Sequence, residues 1–245
     1  MKMCFKSISI ALGLLSSAII FHGSVNAAPV CGSEDHWIDT CSVAGGPGGD
    51  PDFYTDSFFS SATFGIDTDL DNVSDMTFIL SGDVTVFRGD PYASDPNDPN
   101  HLNTIDTELV FMELTGAGVT LRAGDGVANL MSDGPLYSSG QIIEKESDPA
   151  WADSFFDVFV EIDIAGIGTL HNQDAFRIES EIDKVPPLGI NYTHPLTQPI
   201  DLLDANGTLV ARLVEANHKP IPEPSSLFLL SLGLLPLAYR RKRKA

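Results

Sequence analysis

The chain has 245 residues, with 34 Asp and Glu against 14 Lys and Arg and a formal net charge of −20. All the acidic residues, but only half of the basic ones, fall between residues 28 and 224. So acidic a body repels nucleic acid and anionic lipid, which argues against both as its partners, while its length is ample for one domain with a real core.

Residues 1–27 open with Lys2 and Lys6, run apolar from Ile8 to Phe21, and end in the small-residue site Val25-Asn26-Ala27. Charged start, apolar middle and cleavable end make a secretory signal peptide, predicted as a helix removed after Ala27 or Ala28. Two of the chain's three cysteines then remain, Cys31 and Cys41. In an exported chain a local, isolated pair predicts a disulfide, here closing the loop "CGSEDHWIDTC". His36 and the nearby Asp residues match no zinc spacing. Gly45-Gly46-Pro47-Gly48-Gly49 holds no regular element, so residues 28–60 read as a disulfide loop followed by a linker.

The β domain is expected over 61–220. Near its start, "DTDLDNVSD" sets Asp67, Asp69, Asp71 and Asp75 at alternate positions of a calcium-loop spacing, where carboxylates converge on one hard cation. Asn72 replaces the usual Gly and Phe78 stands where a bidentate Glu is needed. An acidic turn ahead of a strand is the competing reading, and such turns commonly hold no metal.

Beyond the loop come short β-rich runs, "MTFILSG" (76–82), "DVTVFRG" (83–89), "TELVFMELTG" (107–116) and "GVTLRAG" (118–124). The first two are predicted as separate strands divided by a Ser-Gly-Asp turn. The run 155–166 alternates most clearly. Phe156, Val158, Val160, Ile162 and Ile164 share one face, and Asp157, Glu161 and Asp163 form a solvated opposite face. Residues 175–185 repeat the pattern, with Phe176, Ile178 and Ile182 inward. Asn206-Gly207 between two apolar runs predicts a hairpin, because this pair accepts positive φ. No long helical period appears in the body. The fold class is therefore all-β, an antiparallel β-sandwich of jelly-roll or Ig-like topology, between the signal helix and a short C-terminal transmembrane helix.

Catalytic motifs are scarce. The chain has no Gly-x-Ser-x-Gly elbow, His-Glu-x-x-His pair or phosphate loop. His171-Asn-Gln-Asp174 reads as the turn after strand 155–166, and Arg88-Gly89-Asp90 as a chance tripeptide before Pro91. The expectation is a non-enzymatic protein without a cofactor, calcium at the Asp loop aside. The alternative is a secreted carbohydrate-active enzyme using paired carboxylates.

The last residues, "IPEPSSLFLLSLGLLPLAYRRKRKA" (221–245), form a three-part tail. Pro222-Glu223-Pro224 is followed by the apolar Leu227–Tyr239 and then by Arg240, Arg241, Lys242, Arg243 and Lys244. At about 1.5 Å per residue the apolar part is short for a hydrocarbon core of roughly 30 Å. The basic block would stay cytoplasmic and leave the acidic body outside. This arrangement resembles the PEP-CTERM sorting signal. The resemblance implies an exosortase as partner, cleavage near the motif, transient anchoring in the inner membrane, and a final place on the cell surface or in the extracellular matrix of an exopolysaccharide-making Gram-negative bacterium. Contact with exopolysaccharide, direct or bridged by calcium, is the role expected of the acidic surface, with no nucleic acid involved. The body, from "NTIDTELVFMELTG" to the closing hairpin, resembles a group of secreted bacterial proteins of no assigned activity that often carry this tail.

Overall fold

The computed structural model describes residues 31–32, 35–41, 53–93, 102–124, 138–194 and 198–221. The signal peptide, the Gly/Pro linker and the tail after Ile221 lie outside the described residues.

The strands in chain order are β1 (Cys31–Gly32), β2 (Phe53–Asp67), β3 (Met76–Gly89), β4 (Tyr92–Ala93), β5 (Asn103–Gly116) and β6 (Val119–Gly124). They continue with β7 (Ser138–Glu144), β8 (Ala152–Val158), β9 (Val160–Ile164), β10 (Gly168–His171) and β11 (Phe176–Ile182). The last are β12 (Lys184–Val185), β13 (Tyr192–Thr193), β14 (Ile200–Leu203) and β15 (Leu209–Ile221). A 3-10 turn, Trp37–Thr40, follows β1.

Period-two patterning builds the two longest strands. In β2 the side chains of Asp56, Phe58, Ser60, Ala62, Phe64 and Ile66 are buried, and in β3 those of Leu80, Val84, Val86 and Arg88. The register runs unbroken from Phe53↔Gly89 to Ile66↔Met76, so 76–89 is one strand and the expected Ser-Gly-Asp turn is absent. Ser81, Gly82 and Asp83 are held extended because β2 on one side and β5 on the other pair through them. The domain also starts earlier than the sequence suggested, since β2 begins at Phe53, inside the expected linker.

Four long strands form one layer in the order β5-β3-β2-β15. Two shorter sets cover it side by side: β7-β8-β11-β13 over one half and β6-β9-β10-β14 over the other. β5 pairs β7 through Thr104–Leu109 and β6 through Phe111–Gly116. β15 pairs β14 through Leu209–Leu213 and β13 through Asn217–His218. Each half thus closes on both edges of the long layer, and the sandwich becomes two antiparallel circuits that share four strands. Closure removes the free edges that invite aggregation.

Three local devices make the change of partner at the waist. The pairing Val86↔Leu109 followed by Thr85↔Phe111 leaves Val110 as an extra residue in β5. Leu213↔Ile66 followed by Glu215↔Gly65 does the same for Val214 in β15. Each bulge shifts the inward parity, so that Leu109 and Met112, or Leu213 and Ala216, can all face the core. The third device divides the expected strand 155–166 at Phe159 into β8 and β9, which pair in different halves. Asn172 bridges that break: its Oδ1 accepts from Val160 N at 2.6 Å and its Nδ2 donates to Val158 O at 3.0 Å. Ser138 Oγ accepts from Phe159 N at 3.1 Å. The backbone groups freed by the break are thereby satisfied.

Two hairpins match the turn chemistry of the sequence. Ala117 (φ 50°) and Gly118 (φ 77°) join β5 to β6. Between β14 and β15, Gly207 takes φ 77° while Asp204 Oδ1 accepts from Asn206 N and Thr208 N, both at 2.8 Å.

Candidate functional site

The two halves are filled differently. Leu114, Leu121, Ile162, Leu170, Leu202 and Leu213 are buried in the interior of one half, in an apolar cluster that continues into the other. The other half encloses a cavity between the first residues of β2, the last of β3, and β5, β7, β8, β11, β13 and β15. About 590 Å³ of atom-free space lies among the lining residues, mouth included, but the centre of a water molecule can occupy only about 40 Å³ of it. The room inside is therefore small.

Its wall is apolar over most of its extent, with Phe58, Val84, Leu109, Met112, Ile142 and Phe156 among the lining side chains. Gly140 on β7 is required here, because a Cβ at this position would lie 2.7 Å from the Phe156 ring and 2.8 Å from Thr107 Oγ1.

Set into that wall is a buried ion pair. Arg88 is 0% exposed and donates from Nε to Asp56 Oδ2 at 3.0 Å. Its Nη1 donates to Cys41 Sγ at 2.7 Å, and its guanidinium lies 5.3 Å from the centre of the Tyr54 ring. Burial raises the Asp56 pKa more than the Arg88 charge and hydrogen bond lower it. Desolvating such a pair costs several kcal/mol per ion, repaid only when the remaining valences are satisfied. Here they are not: Arg88 Nη2 and Asp56 Oδ1 have no partner.

Two more lumen groups share that state, Thr107 Oγ1 and His218 Nε2. Residue His218 keeps some exposed surface, but its Nε2 has no access to solvent, and desolvation lowers its pKa to about 4. By contrast, Tyr192 donates to Ser154 Oγ at 2.8 Å, and burial pushes its phenol pKa up despite that bond.

The N-terminal segment covers the Arg88 end. Cys31 and Cys41 are joined, with their Cα atoms 5.4 Å apart, and Cys31 pairs with Val185, itself a lining residue. Trp37 and Ile38 are buried, Trp37 Nε1 donates to Ala150 O at 3.2 Å, and His36 Nδ1 meets Glu144. The disulfide loop is thus a docked cap rather than a free staple.

The Asp loop is built differently from the sequence expectation. Carboxylate oxygens of Asp67, Asp69 and Asp71 lie within 4.8 Å of one another, close enough for one hard cation. Asp75 does not join them. Its Oδ2 accepts from Thr68 N at 2.8 Å and from Thr68 Oγ1 at 2.7 Å, bonds that lower its pKa. Asp67 accepts from Leu70 N and Asn72 N, both at 2.7 Å, and Asp71 from Val73 N at 2.8 Å. These are the bonds of an acidic turn, and Leu70 and Asn72 at φ 65° and 68° complete it.

Other sequence candidates separate in space. Arg88 of the Arg-Gly-Asp tripeptide is buried in the lumen wall, not offered on a loop. His171 belongs to β10, and its Nδ1 finds no partner, so no His171–Asp174 pair forms. On the expected solvated face, Asp157 pairs with Arg177 at 2.7 Å and Asp163 is exposed, but Glu161 is buried beneath Arg122 at 3.3 Å. The sorting residues Pro222, Glu223 and Pro224 and the block Arg240–Lys244 lie outside the described residues. Among the described residues, no helix is long and apolar enough to cross a membrane.

Sequence reasoning passed over Asp56, Arg88, Thr107 and His218. Parity was the available signal. Within "DVTVFRG" Arg88 stands in step with the inward Val84 and Val86, and Asp56 stands in step with Phe58.

Residues 220–244 match the PEP-CTERM protein-sorting motif. The chain thus carries a C-terminal PEP-CTERM sorting motif, which indicates an exported protein sorted by an exosortase. Among curated proteins none matches the sequence. In fold it is similar to DynF from the dynemicin biosynthesis pathway of Micromonospora chersina, with a TM-score of 0.55 and 18% identity over 72% of this chain and 84% of that one. At such identity the likeness concerns the fold alone.

Proposed function

We propose that this is a non-enzymatic protein of the cell surface or extracellular matrix of a Gram-negative bacterium, released from a transient inner-membrane anchor by cleavage near Pro222-Glu223-Pro224. One observation carries the reading. The last strand, β15, ends at Ile221, paired with Phe59, and the Pro222-Glu223-Pro224 tripeptide begins at the next residue. Cleavage within Pro222-Glu223-Pro224 would therefore leave both circuits closed. Proline lacks the N–H that a helix or a ladder uses, which suits a protease that needs extended chain. Before the cut, the apolar run and its basic block hold the acidic body on the outer side. The acidic surface supports contact with cation-bridged exopolysaccharide.

The test is intact mass together with cell fractionation in the native host. The expected result is a chain ending near Pro224, on the surface or released. A chain retaining Arg240–Lys244 in the inner membrane would replace sorting with permanent anchoring.

A further inference from the structure

We propose that the lumen binds one slender, uncharged amphipathic molecule: an unbranched apolar chain whose head group both donates and accepts a hydrogen bond, as a primary alcohol or primary amide does. The inference is independent of what happens to the tail.

Unpaired polar groups place the head. Native interiors leave few buried polar atoms without partners, and each such atom costs free energy. Among the described residues seven side-chain atoms are in this state, and four of them, on Asp56, Arg88, Thr107 and His218, belong to residues lining this one cavity. Arg88 Nη2 is a donor and Asp56 Oδ1 an acceptor. Both belong to a single ion pair whose other atoms are already joined; they lie just behind the lumen surface, so a head group that displaces the wall slightly accepts from the first and donates to the second. Thr107 Oγ1, which can do either, is a third point of attachment.

Charge sets the class of head. Arg88 and Asp56 neutralise each other, and among the described residues no other ion pair lines the cavity. A carboxylate or ammonium head would bring a third, uncompensated charge out of water beside a pair that is already balanced. A neutral head avoids that cost.

Dimensions set the shape of the tail. The small room inside disfavours branched or ring-shaped bodies. The β3 lining from Val84 to Arg88 extends about 14 Å at ~3.4 Å per residue, roughly the length of a ten-carbon chain. Apolar walls with a few convergent polar groups are the usual make-up of a small-molecule site.

The test uses the full chain in amphipol, labelled with ¹³C at the methionine methyls, and titrated with decan-1-ol. Of the five methionines, Met112 lines the lumen, while Met76 stands at the opposite end of β3 from Arg88. The expected result is a saturable, single-site shift of the Met112 methyl with Met76 unmoved. At pH 8 decanoate, ionised, should bind at least about tenfold more weakly, and 1-methoxynonane, which accepts but cannot donate, several-fold more weakly. Val84→Phe or Ile142→Phe, each narrowing the bore, should weaken decan-1-ol at least about tenfold. An unchanged Met76 resonance identifies the variant that is folded. An unmoved Met112 in the parent chain, or undiminished binding in a folded variant, would overturn the site. Decanoate binding as tightly as decan-1-ol would overturn the uncharged head.

Discussion

The two circuits share β5, β3, β2 and β15, yet they differ in their inward residues, and one of them encloses a lumen. Backbone architecture does not separate them; the residues at the inward positions do. Over the packed half, β2 presents Ala62, Phe64 and Ile66 and β6 adds Val119, Leu121 and Ala123. Over the hollow half the same β2 presents Asp56, Phe58 and Ser60, and β3 ends on Arg88. Closing a sheet thus fixes an enclosed volume, and the choice of side chain decides whether that volume becomes core or site.

The comparison can be broken most forcefully at the ion pair. Asp56→Ala should cost about 3–5 kcal/mol, because Arg88 is left as a buried, unpaired charge. Urea denaturation would measure it, and a loss below about 1 kcal/mol would mean that the pair is not buried as described. Next in size is a contrast between halves. Leu121→Ala in the packed half should cost about 2–5 kcal/mol. Met112→Ala, which only enlarges an existing void, should cost roughly half as much, since fewer contacts are lost. Equal losses would erase the difference between the halves.

His218 gives the comparison a pH dependence. Its folded pKa, about 4, lies below the ordinary 6.5. The unfolded chain therefore binds the proton more readily, and stability present above pH 6.5 is lost as pH falls through that window toward 4. The full effect is up to about 3 kcal/mol, and His218→Leu should flatten this part of the stability–pH curve. The smallest effects distinguish paired from unpaired groups in one wall. Tyr192→Phe, which loses the bond to Ser154, should cost about 1 kcal/mol. Thr107→Val, which removes a buried hydroxyl that has no partner, should instead raise the stability of the empty protein by about 1 kcal/mol.

The all-β class, the hairpin at Asn206-Gly207, and the inward faces of 176–182 were legible because each is written in local period or turn chemistry. The joined run 76–89 was not. Ser-Gly-Asp is a turn by composition, and only pairing on both flanks keeps it extended. Nor was the break at Phe159, since residues 155–164 alternate through it and the bridging Asn172 arrives a dozen residues later. The lumen was hidden for a similar reason. Parity marks Arg88 and Asp56 as inward, but their meeting depends on the pairing of β2 with β3 and on a cap held by Cys31 and Cys41. The Asp loop was half legible. Its spacing gathers Asp67, Asp69 and Asp71, while Thr68 draws Asp75 aside.

Crystals of the protein held under xenon test the central contrast most directly, because xenon enters apolar voids and not close-packed cores. The account predicts xenon beside Met112 and Val84 and none around Leu121 and Ile162. Xenon in both halves, or in neither, would contradict it.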